Sequence, residues 1–255
     1  MRNFELILIL LLALILAGCD QTQKPSGSAP GTTPQQPTAV VDKSTAGSIS
    51  GAISFKGAAP KMPMLDMSSD PACPPDPQAP EVVMVKNGKL ANVFVYVKDA
   101  DRLGTFPAPT EPVILDQKGC RYIPHVIGLL VGQPLKILNT DHAEHNIHPM
   151  PRNNAAWNES QSPSGEPITK RFQHPEIMMP VECNQHPWMQ MYVNVLPHPY
   201  FAVSAADGSF QIKDLPAGEY TLVAVHEKFG EQTTKITVAP KQNTAANFAF
   251  SSTTR

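Results

Sequence analysis

The 255-residue chain has few charged residues. Asp, Glu, Lys and Arg together make up only 16% of the chain, against about a quarter in typical soluble domains. Lys and Arg total 20, Asp and Glu total 22, and no basic run occurs, so a nucleic-acid partner is not expected. No repeat of fixed period is present, which excludes a solenoid. No stretch of about twelve residues has a convincing helical period, so helices are not expected to build the fold.

Proline is abundant, at 27 residues, or about twice the average usage. From residue 48 onward, short runs rich in Val, Ile, Phe and Tyr alternate with Gly, Pro and Asp turns. This alternation is typical of β-sandwiches and barrels, and it predicts an all-β protein. The polar segment of residues 142–164 is expected to form a loop over the functional site.

The N-terminus carries a targeting segment. Residues 6–17 are all apolar, which is too short for a bilayer core that needs about 20 residues but typical of a secretory signal peptide. The segment ends in Leu-Ala-Gly-Cys and resembles the lipobox of bacterial lipoproteins. The resemblance implies a signal peptide over residues 1–19 and lipidation of Cys19. The protein is then expected to be exported and anchored to a bacterial membrane, on its periplasmic or extracytoplasmic face.

Residues 20–47 are rich in Pro, Thr, Ser, Gly and Gln and predict a disordered tether. The C-terminal stretch AVSAADGSFQIKDLPAGEYTLVAVHE has turn residues at 207–208 and 216–218, with apolar residues alternating between them. It resembles a carboxypeptidase-regulatory-like (transthyretin-like) β-sandwich, and GSISGAISFKGAAP and LANVFVYVKDA resemble its first half. The resemblance implies a sandwich over residues 48–115 and 199–250. It implies no peptidase activity, since the sequence has no zinc-protease motif.

One short loop after an apolar strand contains Cys183, His186 and Met189 at the spacing Cys-x2-His-x2-Met. Blue copper sites use two imidazoles and one thiolate with a weak axial thioether. The upstream segment LNTDHAEHNIH can supply the second imidazole. Together these segments resemble a cupredoxin, and the short loop with Pro187 after the histidine looks most like the amicyanin-like family. The resemblance covers residues 116–198 and implies a Greek-key β-sandwich inserted in, or packed against, the smaller sandwich.

The ligands that the resemblance implies for one type 1 copper ion are His145, Cys183, His186 and Met189. Two alternatives stay open, His148 in place of His145 and Met191 in place of Met189. In an extended strand, His145 and His148 lie on opposite faces, and only one face can hold the ligand.

Four further residues are expected around the ligands, namely Asn146, Asn184, Pro187 and Trp188. By the resemblance, Asn146 ties the two ligand segments together through backbone hydrogen bonds near Asn184. The loop histidine of cupredoxins is exposed at its edge and forms the electron exit, a role that falls to His186, with Pro187 and Trp188 around it. Trp188 itself is interpreted as a packing residue.

Cys73 and Cys120 are left over once Cys19 and Cys183 have been assigned. Spare cysteines of an exported protein usually pair, so we predict a Cys73–Cys120 disulfide. The alternative is a second metal site that uses Cys120 and His125, with or without Cys73.

These residues predict an electron carrier and not an enzyme, because a copper oxidase or nitrite reductase would need a second set of copper ligands. The expected partners are a redox protein, such as a c-type cytochrome or a periplasmic dehydrogenase, and the membrane. The alternative is a copper-binding or delivery lipoprotein, whose extra transient ligands would be His142, His148, Met150, Met178, Met179 and Met191. A purely structural or adhesive lipoprotein is disfavoured by the intact four-ligand set.

Overall fold

The computed structural model describes residues 38–39 and 41–252. The predicted signal peptide, its Cys19 and most of the predicted tether lie outside these residues. None of the helices in the described ranges is long and apolar enough to cross a membrane.

The described residues form nineteen strands and one 3₁₀ helix, Ala100–Leu103. In chain order the strands are β1 (Gly47–Lys56), β2 (Val85–Lys86), β3 (Lys89–Leu90), β4 (Phe94–Val97), β5 (Val113–Gln117), β6 (Tyr122–Ile123), β7 (Val126–Leu130), β8 (Leu135–Asn139), β9 (His145–Pro149), β10 (Glu159–Gln161), β11 (Ile168–Lys170), β12 (Glu176–Glu182), β13 (Gln190–Leu196), β14 (Phe201–Val203), β15 (Ser209–Leu215), β16 (Gly218–His226), β17 (Gly230–Val238), β18 (Asn243–Ala245) and β19 (Phe248–Ser251).

The smaller sandwich is built from both ends of the described chain. One sheet has the order β15-β1-β3-β2, with β18 and β19 also paired to β1, and the other has the order β14-β4-β16-β17. Ile49, Ile53 and Phe55 alternate along β1 and are at most 5% exposed, as expected of a strand with one face on the core. Gly51 is required because a Cβ there would lie 1.5 Å from the carbonyl oxygen of Ala246. The position of β1 in its sheet therefore depends both on its alternating apolar residues and on the close approach of the Ala246 backbone at Gly51.

The larger sandwich lies in the chain between β4 and β14. Its sheets have the orders β10-β9-β12-β13-β7 and β11-β8-β5-β6. Leu115, Ile137, Ile147 and Val193 from these strands are at most 1% exposed and share one hydrophobic core. The predicted all-β fold class is therefore confirmed: the described residues form a larger β-sandwich that is inserted in a smaller one.

The two sandwiches pack against each other through β7. Gly128 of this strand lies against the aromatic rings of Phe94 and Phe201, and a Cβ there would come within 2.5 Å of the Phe201 ring. Phe94 and its buried neighbours Val126 and Leu196 form a separate apolar cluster at this contact. Burial of this apolar surface stabilises the arrangement of the two sandwiches.

Two domain boundaries differ from the sequence-based ones. The amide of Ala39 donates to the carbonyl oxygen of Thr105 at 2.8 Å, and Val41 packs on the core of the smaller sandwich, so the end of the predicted tether joins that sandwich. Val113 pairs with Leu135 in a parallel ladder, which places all of β5 in the larger sandwich. A boundary after residue 115 would cut through that strand.

Two buried histidines make the stability depend on pH. Burial lowers the pKa of His198 and of His226 to about 4. Unfolding returns each to its usual value near 6.5, so the unfolded chain binds more protons between about pH 6.5 and 4. We expect their contribution to be complete above pH 6.5 and to be lost as the pH falls toward 4, at about 2–3 kcal/mol per histidine. Urea unfolding of the metal-free protein at several pH values measures this.

The control is His226→Gln, because the glutamine side chain is uncharged at every pH. His226 Nδ1 accepts a hydrogen bond from the Lys228 amide, and its Nε2 has no partner in the described part of the chain. The variant should show a shallower loss of unfolding free energy between pH 6.5 and 4 than the wild type. If the plots of unfolding free energy against pH are parallel for the two proteins, the lowered pKa of His226 does not contribute to the pH dependence.

Candidate metal centre

Pairing of β9 with β12 brings two distant chain segments together. The strands are antiparallel, with Pro149 opposite Val181 and His148 opposite Glu182. The loop of residues 183–189 then joins β12 to β13, and it is closed by backbone hydrogen bonds from Met189 to His186 at 2.8 Å and from Cys183 to Met189 at 3.1 Å. His145, at the start of β9, therefore lies beside this loop.

Three donor atoms converge between the loop and β9. The Nδ1 atoms of His145 and His186 are 2.9 Å apart, and His186 Nδ1 lies 3.6 Å from Cys183 Sγ. The three donor atoms all lie within 4.8 Å of one another. The side chains are 0–3% exposed, and Met189, at 1%, lies in the same hydrophobic cluster as Cys183. The structure thus places the four sequence-predicted ligand residues in one buried region.

Each imidazole is backed by a carboxylate. His145 Nε2 lies 3.0 Å from Asp141 Oδ2, and His186 Nε2 lies 3.0 Å from Asp70 Oδ2. A carboxylate accepts a hydrogen bond here, which assigns the ring proton to Nε2 in both histidines. Both Nδ1 lone pairs then point into the space shared with Cys183. Carboxylate partners of this kind orient metal-binding imidazoles and raise their basicity.

The pKa values fit this assignment. Burial lowers the pKa of His145 below its usual value, and this outweighs the opposing effect of Asp141. Burial would raise the pKa of Asp141, but hydrogen bonds from the Cys120 amide and from His145 outweigh it and hold the pKa low. The Ala72 amide and then His186 lower the pKa of Asp70. Near neutral pH the centre therefore has a neutral His145 facing ionised carboxylates.

The donor set fits a thiophilic transition metal. Two imidazole lone pairs 2.9 Å apart repel each other unless a proton or a metal ion lies between them. Thiolate and imidazole donors suit Cu, Zn or Fe, whereas Mg²⁺ and Ca²⁺ prefer oxygen. Two imidazoles and a thiolate, with a thioether nearby, are the donors of blue copper sites.

Asn146 connects the two ligand segments through its side chain, and the contacts differ from the expected backbone hydrogen bonds. Its Oδ1 accepts from the Asn184 amide at 2.7 Å and from Cys183 Sγ at 3.3 Å. Its Nδ2 donates to Asn184 Oδ1 at 2.8 Å and to Asn158 Oδ1 at 2.7 Å. All four hydrogen-bonding positions of this buried amide are thus directed at the ligand loop or its surroundings.

The alternative ligands differ in where they lie. His148 Nδ1 is 3.1 Å from Asn184 Oδ1, on the face of β9 that it shares with Asn146, and is not part of the converging donor group. Met191 is fully buried opposite Val181 in the β12–β13 hairpin, and it belongs to the same hydrophobic cluster as Cys183 and Met189.

The expectation of an exposed His186 is wrong, because its side chain is only 2% exposed. The covering segment, residues 65–78, includes Asp70 and is here called the cap. The segment of residues 142–164, expected to form the covering loop, contains β9 and β10 instead. Pro187 is exposed, and Trp188 is partly buried, with its ring centroid 5.1 Å from that of His186.

Cys73 and Cys120 form a disulfide, with their Cα atoms 5.6 Å apart. A disulfide sulfur is not a thiolate, so neither cysteine is available for a second metal site. His125 Nε2 lies 2.5 Å from Glu227 Oε1, and both side chains are buried. His125 therefore takes part in a contact with the smaller sandwich.

Sequence reasoning missed Asp70 and Asp141. Asp141 precedes His145 by four residues in the segment already noted for its histidines, and an Asp-x3-His spacing could have drawn attention to it. Asp70 is 116 residues from His186. The only sequence signal for it is its position three residues before Cys73.

Comparisons with known proteins found one family match and several structures of low similarity. Residues 187–251 match the carboxypeptidase regulatory-like domain family. A search of the curated proteins found no match. Among solved structures, the chain is similar to a Cu-containing nitrite reductase from Thermus scotoductus SA-01, with 20% identity over 33% of this chain and 22% of that one and a TM-score of 0.31.

Smaller copper proteins are also similar. A reduced Cu(I) form of an amicyanin mutant at pH 4 has 19% identity over 34% of this chain and 84% of its own, with a TM-score of 0.31. A purple cupredoxin from Nitrosopumilus maritimus has 20% identity over 32% and 98%, with a TM-score of 0.29. The chain covers about a fifth of the nitrite reductase. At these TM-scores the similarities carry no argument for function, which rests on the side-chain geometry.

Replacing Asn146 by alanine should destabilise the metal-free protein. The change removes four side-chain hydrogen bonds at a site that is 3% exposed and leaves the Asn184 amide without its acceptor. We expect a loss of about 2–3 kcal/mol in the free energy of unfolding, measured by urea denaturation.

Asn158→Ala is the matched control, because this exposed residue contacts the same network from outside. Asn146 Nδ2 keeps its bond to Asn184 in that variant, so the free energy of unfolding should change by less than about 0.5 kcal/mol. Equal losses in the two variants would show that Asn146 does not hold the ligand segments together.

Proposed function

We propose that the chain binds one copper ion through His145, Cys183, His186 and Met189 and transfers single electrons. The supporting observation is the convergence of two Nδ1 lone pairs, 2.9 Å apart, on the buried thiol of Cys183. A copper ion bound there would alternate between Cu(II) and Cu(I), which is the one-electron chemistry of such a donor set.

The protein groups are arranged to keep the donors in place in both oxidation states. Asp141 and Asp70 orient the imidazoles, and the Asn146 side chain holds the ligand loop by accepting a hydrogen bond from the Asn184 amide. The donors are at most 3% exposed, so water is largely excluded from them. A rigid and dry donor set needs little rearrangement when an electron arrives, which suits an electron carrier better than a catalyst that must open a coordination position to substrate.

The burial of His186 changes the route by which an electron would leave. A partner cannot touch this imidazole directly while the cap covers it. Trp188 is the aromatic neighbour of His186, and its partly exposed ring and exposed Pro187 reach the surface. We place the contact with a redox partner, such as a c-type cytochrome or a periplasmic dehydrogenase, at these residues. The lipidation proposed at Cys19 would keep this contact near the membrane.

Loading the chain from Asp20 onward with Cu(II) should give one copper per chain, an intense visible band and a narrow parallel hyperfine splitting in the EPR spectrum. Cys183→Ser and His145→Ala should each abolish the band, because each removes one donor of the converging group. Absorption and EPR spectroscopy with a metal count measure this.

His142→Ala is the matched control, since this exposed histidine lies three residues before His145. The variant should keep the band and the one-to-one stoichiometry. More than one copper per chain, or copper that exchanges readily, would favour copper delivery. Met179 and Met191 are buried in the core, so such a role would have to rely on exposed groups such as His142 and Met150. A colourless protein that binds only zinc would exclude electron transfer.

A further inference from the structure

The cap is a closed loop attached at several points. Leu65 and Gln78 exchange backbone hydrogen bonds of 2.8 and 3.1 Å, which join its two ends as in a compact Ω-loop. Inside the loop, Met67 is 1% exposed and packs with the Cys73–Cys120 disulfide. The cap is therefore held on the larger sandwich by a covalent bond as well as by apolar packing. In the sequence it lies between β1 and β2, which are strands of the smaller sandwich.

Asp70 lies at the inner side of this loop. Its Oδ1 accepts from the Ala72 amide at 2.8 Å, and its carbonyl oxygen accepts from the Cys73 amide at 3.0 Å. These bonds leave Oδ2 aimed at His186 Nε2, 3.0 Å away. The carboxylate is thus oriented by the turn that leads into the disulfide.

The other half of the disulfide orients the other carboxylate. The Cys120 amide donates to Asp141 Oδ2 at 2.6 Å, and the same oxygen lies 3.0 Å from His145 Nε2. The disulfide therefore lies next to both carboxylates that contact the imidazoles: Asp70 through the cap, and Asp141 through the turn between β5 and β6.

We propose that Asp70 is a positioning residue that the cap supplies to the metal centre, and that it lowers the reduction potential by backing His186 with a negative charge. The proposal rests on the copper centre described above. With a Cys183 thiolate and two ionised aspartates, the surroundings carry three negative charges, which favour Cu(II) over Cu(I). Hydrogen bonding to a carboxylate also makes the His186 Nδ1 a stronger donor, again in favour of the higher charge.

The test is the reduction potential of copper-loaded Asp70→Asn. Asparagine keeps an acceptor for His186 Nε2 but removes the charge, and loss of such a partner commonly weakens metal binding about 10–100-fold. We expect Cu(II) affinity to fall about tenfold relative to Cu(I), which raises the potential by about 59 mV for one electron. Asp70→Glu should recover part of this shift.

Asp66→Asn is the matched control. This exposed aspartate lies in the same loop and accepts a hydrogen bond from the Ser68 amide, so its replacement removes the same charge without touching a ligand. The wild-type potential is expected for this variant. A potential for Asp70→Asn equal to that of Asp66→Asn would overturn the proposal, whereas a wild type without the copper spectrum would instead overturn the copper centre.

The disulfide gives a second, independent variant. Cys73→Ser combined with Cys120→Ser releases the covalent hold on the cap while leaving Asp70 in the chain. We expect its potential to shift in the same direction as that of Asp70→Asn, and the addition of Asp70→Asn to this background to have a smaller effect than in the wild type. If Asp70→Asn shifts the reduction potential as much in the double-serine background as in the wild type, the disulfide does not hold Asp70 on His186.

Discussion

The antiparallel pairing of β9 with β12 is the constraint on which the candidate centre depends. It fixes the position of His145 relative to a loop almost forty residues further along the chain. Successive residues of a strand point to opposite faces, so this register turns His145 and Ile147 inward and leaves His148 beside Asn184. A slip by one residue would exchange the two faces, but it would also expose Ile147, which is 1% exposed in the core. The hydrophobic core thus determines which histidine is available to a metal.

Two carboxylates determine which nitrogen of each imidazole is free to bind a metal. A buried and neutral imidazole has two different nitrogens, and a carboxylate on one of them leaves the lone pair of the other free. Asp141 and Asp70 do this for the two histidines from opposite sides of the centre. Little solvent screens the interaction of Asp141 with His145, because the two side chains are 9% and 0% exposed. The side chain of Asp70 is 33% exposed, so solvent screens its interaction with His186 more strongly.

The sequence was informative where the determinants are local. The spacing of Cys183, His186 and Met189 within one loop requires no knowledge of the fold, and strand alternation was enough to place His145 and His148 on opposite faces of a strand. The turn residues of the C-terminal stretch likewise predict the hairpins of the smaller sandwich. Apolar alternation and turn residues were enough to predict an all-β protein, whereas its division into two sandwiches was implied by the resemblance of two separate stretches to known families.

What could not be predicted depends on contacts between remote segments. No periodicity marks residues 65–78, which have neither a strand nor a helical pattern, and only the tertiary structure places them over His186. The expected exposure of that histidine was wrong for this reason. The role of the Asn146 side chain could not be predicted either. A sequence does not show whether the backbone or the side chain of an asparagine makes the hydrogen bonds to another segment.

The position of the cap implies that the centre belongs to both sandwiches. The cap lies in the chain between β1 and β2 of the smaller sandwich, while all four proposed ligands lie in the larger one. The larger sandwich alone would lose Asp70 and the disulfide and would expose the apolar surface at Gly128 that now contacts Phe94 and Phe201. The insertion is thus more than a connection between two independent domains. The smaller sandwich supports one side of the larger sandwich and supplies the segment that covers the other.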